Sequence, residues 1–556
     1  MNTLQLPEIP ESEKTPLVLA LLGIIANQQD QLEVQEEHIA LQQNRIDVQQ
    51  EQIHLLKEQV QVLKDEVAHL KGHNPKPKVP PSALEKDPDK KKWKKGSGKK
   101  RPGSKKRKKT ARLDIHETQD IHPKNLPIGS KLKGYSDWTV QDLQIQAHNT
   151  LYRLAYYRTP SGEYVSAELP DDTRGEHFGV RLRCFILQQY YQARATQGTI
   201  LDELADFGID ISSGQLNRII TEGKDDFHAE KDEILRVGLE VSRSVHVDDT
   251  GARHNGKNGY CTHIGNDLFA WFSSTKSKSR INFLTLLGAG RIRYTVNGEA
   301  LDYMRAQKLP QIPFAKLSGL SGMSFNGDSW KNTFAEMNIT NERHVRVVTE
   351  GALIGGLLEN GFNPDLVIVS DDAGQFNVFL HALCWIHAER TIHKLVGFND
   401  RQREALEAVR KQIWDFYRDL KNYKLTPTKK EKALLGARFD EIFTTKYDCF
   451  ATLTHALERL HKNRAELLLV LDRPDLDLHN NLSERDIREY VTKRKISGST
   501  RSDLGRRCRD TFTSLKKTCR KLGVSFWSYL TDRVSGRGEI PNLPDLIRIK
   551  AQESKA

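Results

Sequence analysis

Among its 556 residues the chain has only six cysteines, Cys184, Cys261, Cys384, Cys449, Cys508 and Cys519, none in a CxxC pair and none before residue 184. Such spacing gives no basis for a disulfide framework or a zinc module of paired ligands, and no zinc is expected. Long apolar runs are scarce as well. The longest near the start, 16–26, is well short of the roughly 20 residues that a membrane span needs. The opening residues are acidic (Glu8, Glu11, Glu13) and lack a basic n-region, so neither a membrane association nor a secretory signal is expected. These absences predict a cytoplasmic, reducing-compartment protein.

What the chain has in excess is positive charge, in one place. The formal net charge is +12, from 85 Lys and Arg against 73 Asp and Glu. Between Lys86 and Arg112 stand fifteen Lys or Arg and two Asp, a net of +13, so the rest of the chain sums to 12 − 13 = −1. Prolines at 75, 77, 80, 81 and 88 flank this run. Like charges repel one another, and 73–115 is therefore expected to be a disordered basic linker that meets a polyanion. Lys91, Lys92, Lys94, Lys95, Lys105, Lys106, Arg107 and Lys108 are its candidate DNA phosphate contacts, salt-sensitive and indifferent to sequence.

Before the linker, after a flexible 1–16, residues 17–72 contain no proline. Ile25, Leu32, Ile39, Ile46, Ile53, Val60 and Val67 recur every seven positions. That period predicts a coiled-coil helix and a homo-oligomer. The row three residues on is mixed, Gln28 to Gln49 and then Leu56, Leu63 and Leu70, so it selects no oligomer number. After the linker, 116–240 is expected to be mostly helical and to bind DNA. Within it, 199–222 has a helix-turn-helix-like layout: Leu201, Leu204 and Phe207 on one face, Gly208 at the stop, Ser212 or Ser213 as a cap, and a second helix with Gln215, Asn217 and Arg218 on its polar side.

Two apolar strands further on each end in a carboxylate doublet. Val245 and Val247 lead to Asp248 and Asp249, and Leu366 to Val369 lead to Asp371 and Asp372. A lone strand-end Asp is commonly a turn or cap residue. Two doublets, with Glu484 at the start of a predicted helix, supply oxygen ligands from three elements, as hard divalent cations acting on phosphodiesters require. Neighbours in a strand point to opposite faces, so at most one Asp of each pair can face the site. Central strands are apolar on both faces, and parity leaves both members open.

The segments VHVDDTGAR, IVSDDAGQF, CWIHAER, HNNLSERDIR and GSTRSDLGRRCRDTFTSLKKTCRKLGV occur in that order. They resemble the insertion-sequence 66 family of bacterial DDE transposases, over roughly 240–535. The resemblance implies a multidomain α/β protein in which 241–535 is an RNase H-like catalytic domain with an α-helical insertion at about 394–478, followed by a tail at 536–556. It implies Asp248, Asp371 and Glu484 as catalytic and metal-binding residues, with Asp249 and Asp372 as alternatives, and Mg²⁺ or Mn²⁺, two ions, as cofactor. Cys384, His387, Asn481 and Arg488 are implied supports of the site, and Lys493, Arg494 and Lys495 are further candidate DNA contacts. DNA ends, target DNA and accessory proteins of the same element are the implied partners. The implied activity is hydrolysis at element ends followed by 3′-OH strand transfer; the alternatives are a nuclease without transfer and a DNA-binding regulator with a dead site. Three departures stand out: the cysteine-rich segment of many members has no counterpart before Cys184, the usual Asp-Glu-Thr reads Asp248-Asp249-Thr250, and 484 − 371 = 113 residues separate the second Asp from the Glu.

Overall fold

The computed structural model describes residues 114–553, apart from 126, 128, 171–175, 398 and 449, together with scattered positions between 10 and 42. Residues 1–141 and 142–556 form two compact units. In the first, the described positions between 16 and 42 are helical. The rest of the expected coiled-coil seam and the candidate DNA-contacting lysines and arginine of the basic linker lie outside the described residues. Among the described residues no helix is long and apolar enough to cross a membrane.

The second unit begins with a hairpin, β1 (Tyr156–Arg158) and β2 (Tyr164–Ser166). The expectation of a mostly helical 116–240 is corrected here: among the described residues of that stretch helix starts only at α1 (Val180–Leu187). Pro123, Pro127, Pro160 and Pro170, with Gly129, Gly134 and Gly162, break any helical period before that point. A π-turn, Gln188–Ala193, leads to α2 (Gln197–Asp206), α3 (Ser213–Thr221) and α4 (Asp225–Val241). The side chain of Ser212 caps α3 by accepting from the Gln215 amide. The buried face of α2 is Ile200 and Leu204, one step round from the expected Leu201 and Phe207, which are half-buried.

Five strands form the central sheet: β3 (Ser244–Gly251), β4 (Tyr260–Gly265), β5 (Ala270–Thr275), β8 (Val367–Ser370) and β9 (Leu380–Leu383). Their order is β5-β4-β3-β8-β9. The first three are antiparallel neighbours, while β3, β8 and β9 run parallel. β-branched runs, Val245/Val247 and Val367–Val369, suit such doubly covered central strands. Between β5 and β8 lies a module that the sequence reading did not separate. It comprises α5 (Arg280–Leu287), a second hairpin of β6 (Tyr294–Val296) and β7 (Met323–Phe325), α6 (Gly298–Ala306), α7 (Gln311–Ser318), α8 (Gly327–Glu336) and α9 (Glu342–Glu359). Its own core gathers Val296, Met304, Leu317 and Trp330. Gly356 lets α9 lie against the chain entering β6, since a Cβ there would overlap the Arg293 carbonyl.

After β9 come α10 (Trp385–His393), α11 (Asp400–Tyr423), α12 (Lys429–Thr444), α13 (Ala451–Lys462) and the short α14 (Arg464–Leu467). Trp385 anchors this group among Phe416, Phe439 and Phe443, and its indole N–H donates to the Leu467 carbonyl at 2.9 Å. The chain ends in α15 (Asn481–Ser497), α16 (Asp503–Leu522), α17 (Phe526–Ser535) and α18 (Leu543–Glu553). One face of the sheet, with Val245, Val247, Ile264 and Ile368, joins the main core. On the other, Ile487 and Tyr490 of α15 pack on Cys261, Ala270 and Phe272.

The outer edge at β5 is closed by α16. The amides of Ser274, Phe272 and Ala270 donate to Asp510 Oδ2 (2.7 Å), Ser514 Oγ (2.9 Å) and Thr518 Oγ1 (3.2 Å). Four helical residues rise about 6 Å and two strand residues about 6.6 Å, so the two ladders stay in step. The helix thereby satisfies amides that would otherwise template another strand. Ser514→Ala should strand the Phe272 amide at a cost of about 1–3 kcal/mol. A lowered urea midpoint, with Ser514→Thr close to wild type, is the expected result.

Candidate active site

Asp248 lies in β3 opposite His263 of β4, on the face that α15 covers. The parallel register pairs His246 with Val369; two residues further along the chain stand Asp248, still in β3, and Asp371, one residue past the end of β8. Because parallel strands stay in phase, both aspartates belong to the same face. Glu484 occupies the first turn of α15, and its backbone amide donates to the Asn480 carbonyl at 3.2 Å. All three carboxylate residues are half-buried.

Their fields overlap. Burial, together with the negative charges of Asp371, Asp249 and Glu484, pushes the Asp248 carboxyl up to about 7 against an ordinary 3.8, although the Asp249 amide donates to it at 2.7 Å. The other members of the doublets are engaged elsewhere. Asp249 accepts from Thr262 Oγ1 and, at 3.0 Å, from Gln375 Nε2. Asp372 is ion-paired with Arg459 and accepts from Asn463 Nδ2 at 3.2 Å. Asp371 turns one oxygen to the Ala373 amide at 3.2 Å.

Around Glu484, His387 Nε2 stands 3.6 Å from Oε1, beyond hydrogen-bond length, and Arg488 Nη2 is 3.8 Å from Oε2. Glu484 Oε1 and His387 Nδ1 are buried atoms without a hydrogen bond among the described residues. Burial and the charge of Arg390 lower the His387 pKa, against the pull of Glu484 and Asp371. A buried, acceptor-only oxygen and a carboxyl that burial first, and neighbouring carboxylates second, hold partly protonated suit a hard cation, which takes oxygen ligands and keeps further positions for water and phosphate. Among the described residues no group of three or more His, Cys, Asp or Glu side chains is placed to hold a metal ion.

Asn480, which sequence reasoning passed over, joins the pieces. It is fully buried; its Nδ2 donates to the Val247 carbonyl at 2.7 Å and its Oδ1 meets His246 Nδ1 at 3.1 Å. Its backbone amide donates to Cys384 Sγ at 3.2 Å. One residue thus ties the strand of Asp248, the helix of His387 and the helix of Glu484. A signal existed: Asn480 and Glu484 are four apart and share a helix face, whereas Asn481, chosen from the motif, opens α15 half-buried. Arg488 is largely exposed. Below Asp248, His263 meets Ser483 Oγ at 2.7 Å and Asp486 at 3.2 Å.

The other candidate contacts separate. Arg494 is half-buried with Nη1 donating to Thr250 Oγ1 at 3.3 Å, and Lys495 is exposed. Lys493 requires a correction. It is buried, its ammonium donates to the carbonyls of Tyr190 (2.8 Å) and Ala195 (3.2 Å), and it lies over the Tyr190 ring, where DNA has no access. On α3, Asn217 and Arg218 are exposed and Gln215 is half-buried; Arg218 Nε donates to Gln215 Oε1 at 3.0 Å, and Asn217 Oδ1 accepts from Gln197 of α2 at 3.0 Å.

The raised Asp248 pKa carries a sign. Between about 4 and 7 the folded chain holds a proton there that the unfolded chain has lost, so this group's contribution to stability falls as pH rises through that window and stays lost above it. Asp248→Asn should therefore raise the thermal midpoint at pH 8 in chelator, with the difference fading toward pH 4.

Residues 352–507 match the family described as Transposase IS66 family. The match takes in Asp371, Cys384, His387 and Glu484 and begins after Asp248. An uncharacterized protein, y4jO, of Sinorhizobium fredii (strain NBRC 101917 / NGR234) is 42% identical over 325 residues, 57% of this chain and 100% of the relative. With that relative covered end to end and the family match spanning two of the three candidate carboxylates, the chain belongs to the IS66 transposase family.

Proposed function

We propose that the chain is a DDE-type DNA transposase of an insertion sequence, with Asp248, Asp371 and Glu484 as its catalytic carboxylates. The observation that carries this reading is geometric: Asp248 and Asp371 each follow by two residues the paired His246 and Val369, and α15, which opens with Glu484 in its first turn, packs on that face of the sheet, while Asp249 and Asp372 are held by other partners. The strand order β5-β4-β3-β8-β9, three antiparallel and three parallel with β3 shared, supports an RNase H-like catalytic domain. On this reading the helices from α11 to α14 are its insertion.

Mg²⁺ or Mn²⁺, bound as two ions, would supply Lewis acidity and neutralising charge for in-line displacement at phosphorus. The chain's own residues do the holding. Asp248 would present its oxygens from β3 and Asp371 from just past the end of β8, and Asp248 would have to give up its proton to hold a cation. Glu484 offers its unbonded Oε1 from the helix, and Asn480 keeps helix and strand in register. Water is the first nucleophile, adding to the phosphorus at the element end as the 3′ oxygen leaves as a 3′-OH; that 3′-OH then attacks a target phosphodiester, forming the new P–O bond as the target's own 3′ oxygen leaves. The basic linker holds DNA without sequence preference, α3 contributes to recognising ends, and the heptad helix pairs protomers so that two ends meet. Work on DNA in this way belongs in the bacterial cytoplasm, with accessory proteins of the same element as further partners.

The test is an assay with paired element-end DNA, target plasmid and Mg²⁺. Cleavage followed by covalent joining of the 3′ end is the expected result. Cleavage without joining under all conditions would make the chain a nuclease, and end binding with no chemistry would make it a regulator.

A further inference from the structure

Just beyond Asp248 the chain builds a second feature that the carboxylates do not use. Gly251 and Ala252, at the end of β3, and the turn through Gly256 and Asn258 to Tyr260 form one wall of a cleft of about 600 Å³. Arg494, Gly498 and Ser499, at the end of α15, form the other. The cleft thus lies between the far end of the Asp248 strand and the far end of the Glu484 helix. Three strand residues separate Gly251 from Asp248, about 10 Å, or about three steps along one strand of a duplex.

Its composition is selective. Gly251, Gly256, Gly259 and Gly498 leave the walls without side chains, which allows a ligand to approach the backbone closely. Gly259 is also required by the fold, because a Cβ there would lie 2.7 Å from the Ala252 carbonyl oxygen. The lining has two guanidiniums, Arg253 and Arg494, and no carboxylate. Each makes a hydrogen bond that leaves most of its five donors: Arg253 Nη2 to the Gly256 carbonyl at 3.0 Å and Arg494 Nη1 to Thr250 Oγ1 at 3.3 Å. Asp503, in the adjoining turn, is already held by His254 and Arg506.

The walls are fastened together before any ligand arrives. The Asn255 amide donates to the Thr500 carbonyl at 2.8 Å, the Thr500 amide to the Arg253 carbonyl at 3.3 Å, and His254 Nδ1 meets Thr500 Oγ1 at 2.9 Å. A pre-formed, carboxylate-free, glycine-walled cleft with two arginines matches a phosphodiester, which planar guanidiniums bind through paired N–H groups.

We infer that this cleft seats a backbone phosphate of the DNA strand that enters the carboxylate site, a few nucleotides from the bond to be cut. The inference rests on the DNA-transposase reading above, and its test keeps the two apart.

The full chain is titrated with a fluorescein-labelled 30-bp duplex of arbitrary sequence in chelator, and the slope of log affinity against log salt is read from anisotropy. Arg253→Gln combined with Arg494→Gln is expected to lower the slope by about 0.9 for each phosphate no longer neutralised, at an unchanged thermal midpoint. Arg253→Lys with Arg494→Lys should restore it. If the glutamine pair folds poorly, Ser499→Trp, which fills the cleft with both arginines present, should give the same loss. A wild-type slope in a folded glutamine pair or in Ser499→Trp overturns the cleft. If Lys91, Lys92, Lys94 and Lys95→Gln still lowers the slope in that case, DNA binding itself stands. No binding by the wild type at low salt would overturn both.

Discussion

Asp248→Asn, Asp371→Asn and Glu484→Gln are each expected to lower strand cleavage and joining by about 1000-fold or more, close to 4 kcal/mol of transition-state stabilisation. Each substitution keeps the shape of the side chain and removes the charge that draws a hard cation. The three should not add, because they serve one site and losing one ligand already disables it. Asp249→Asn and Asp372→Asn provide the contrast. Asp249 is occupied by Thr262 and Gln375, and Asp372 by Arg459 and Asn463, so their loss should cost activity several-fold at most. The rates of all five variants, measured on one pre-cleaved and one uncleaved substrate, check this ranking in both chemical steps.

Asn480→Ala is the second substitution with a large expected effect, and it acts differently. The side chain bridges the Val247 carbonyl and His246 inside a fully buried junction. Removing it leaves two buried polar groups without that partner, each worth about 1–3 kcal/mol. A loss of about 2–6 kcal/mol should appear as a lowered unfolding midpoint. Asn480 touches no reacting atom; it is a positioning residue. The informative reading is therefore the split in kinetics: kcat should fall much more than DNA affinity, since Glu484 drifts from Asp248 while the DNA-holding surfaces are unchanged. Equal loss of affinity and kcat would instead mean general unfolding. Asn480→Asp tests the same junction with the volume kept and one donor lost.

The candidate carboxylates could be proposed from the sequence because each follows a local signal, an apolar β-branched run ending in a doublet, or a polar helix start. What the linear pattern could not supply was the choice within each doublet. That choice depends on Thr262, Gln375, Arg459 and Asn463, which lie 13 to 126 residues away from the aspartates they bind. Asn480 was overlooked for a similar reason: adjacent asparagines look alike until the helix axis assigns one of them inward. Lys493 shows the opposite error. A lysine among basic neighbours reads as solvated, yet the carbonyls of Tyr190, in the π-helical segment Gln188–Ala193, and of Ala195 just after it, with the Tyr190 ring, make a buried place for it. The glycine-walled cleft was invisible for a further reason, since its two walls, 251–260 and 494–499, meet only after β3 and α15 have packed.

Concentrated charge also proves a poor guide to the chemistry. The +13 segment from Lys86 to Arg112 accounts for the basic balance of the whole chain, and the remainder is −1 by formal count. The carboxylates that would perform catalysis sit in that near-neutral remainder, where burial and mutual repulsion hold Asp248 near 7. On the proposed function, the sequence-indifferent affinity for DNA comes chiefly from the basic linker and the reactivity from the carboxylates. Salt should weaken the first far more than it alters the second once DNA is bound.

Mn²⁺ binding, followed by electron paramagnetic resonance on the wild type and the five carboxylate variants without DNA and again with a bound oligonucleotide, tests the central claim most directly. The expected result is a bound-Mn²⁺ signal that DNA strengthens, that Asp248→Asn, Asp371→Asn and Glu484→Gln each abolish, and that Asp249→Asn and Asp372→Asn retain. Undiminished binding in Asp248→Asn or Glu484→Gln, or equal loss in Asp249→Asn and Asp372→Asn, would contradict it.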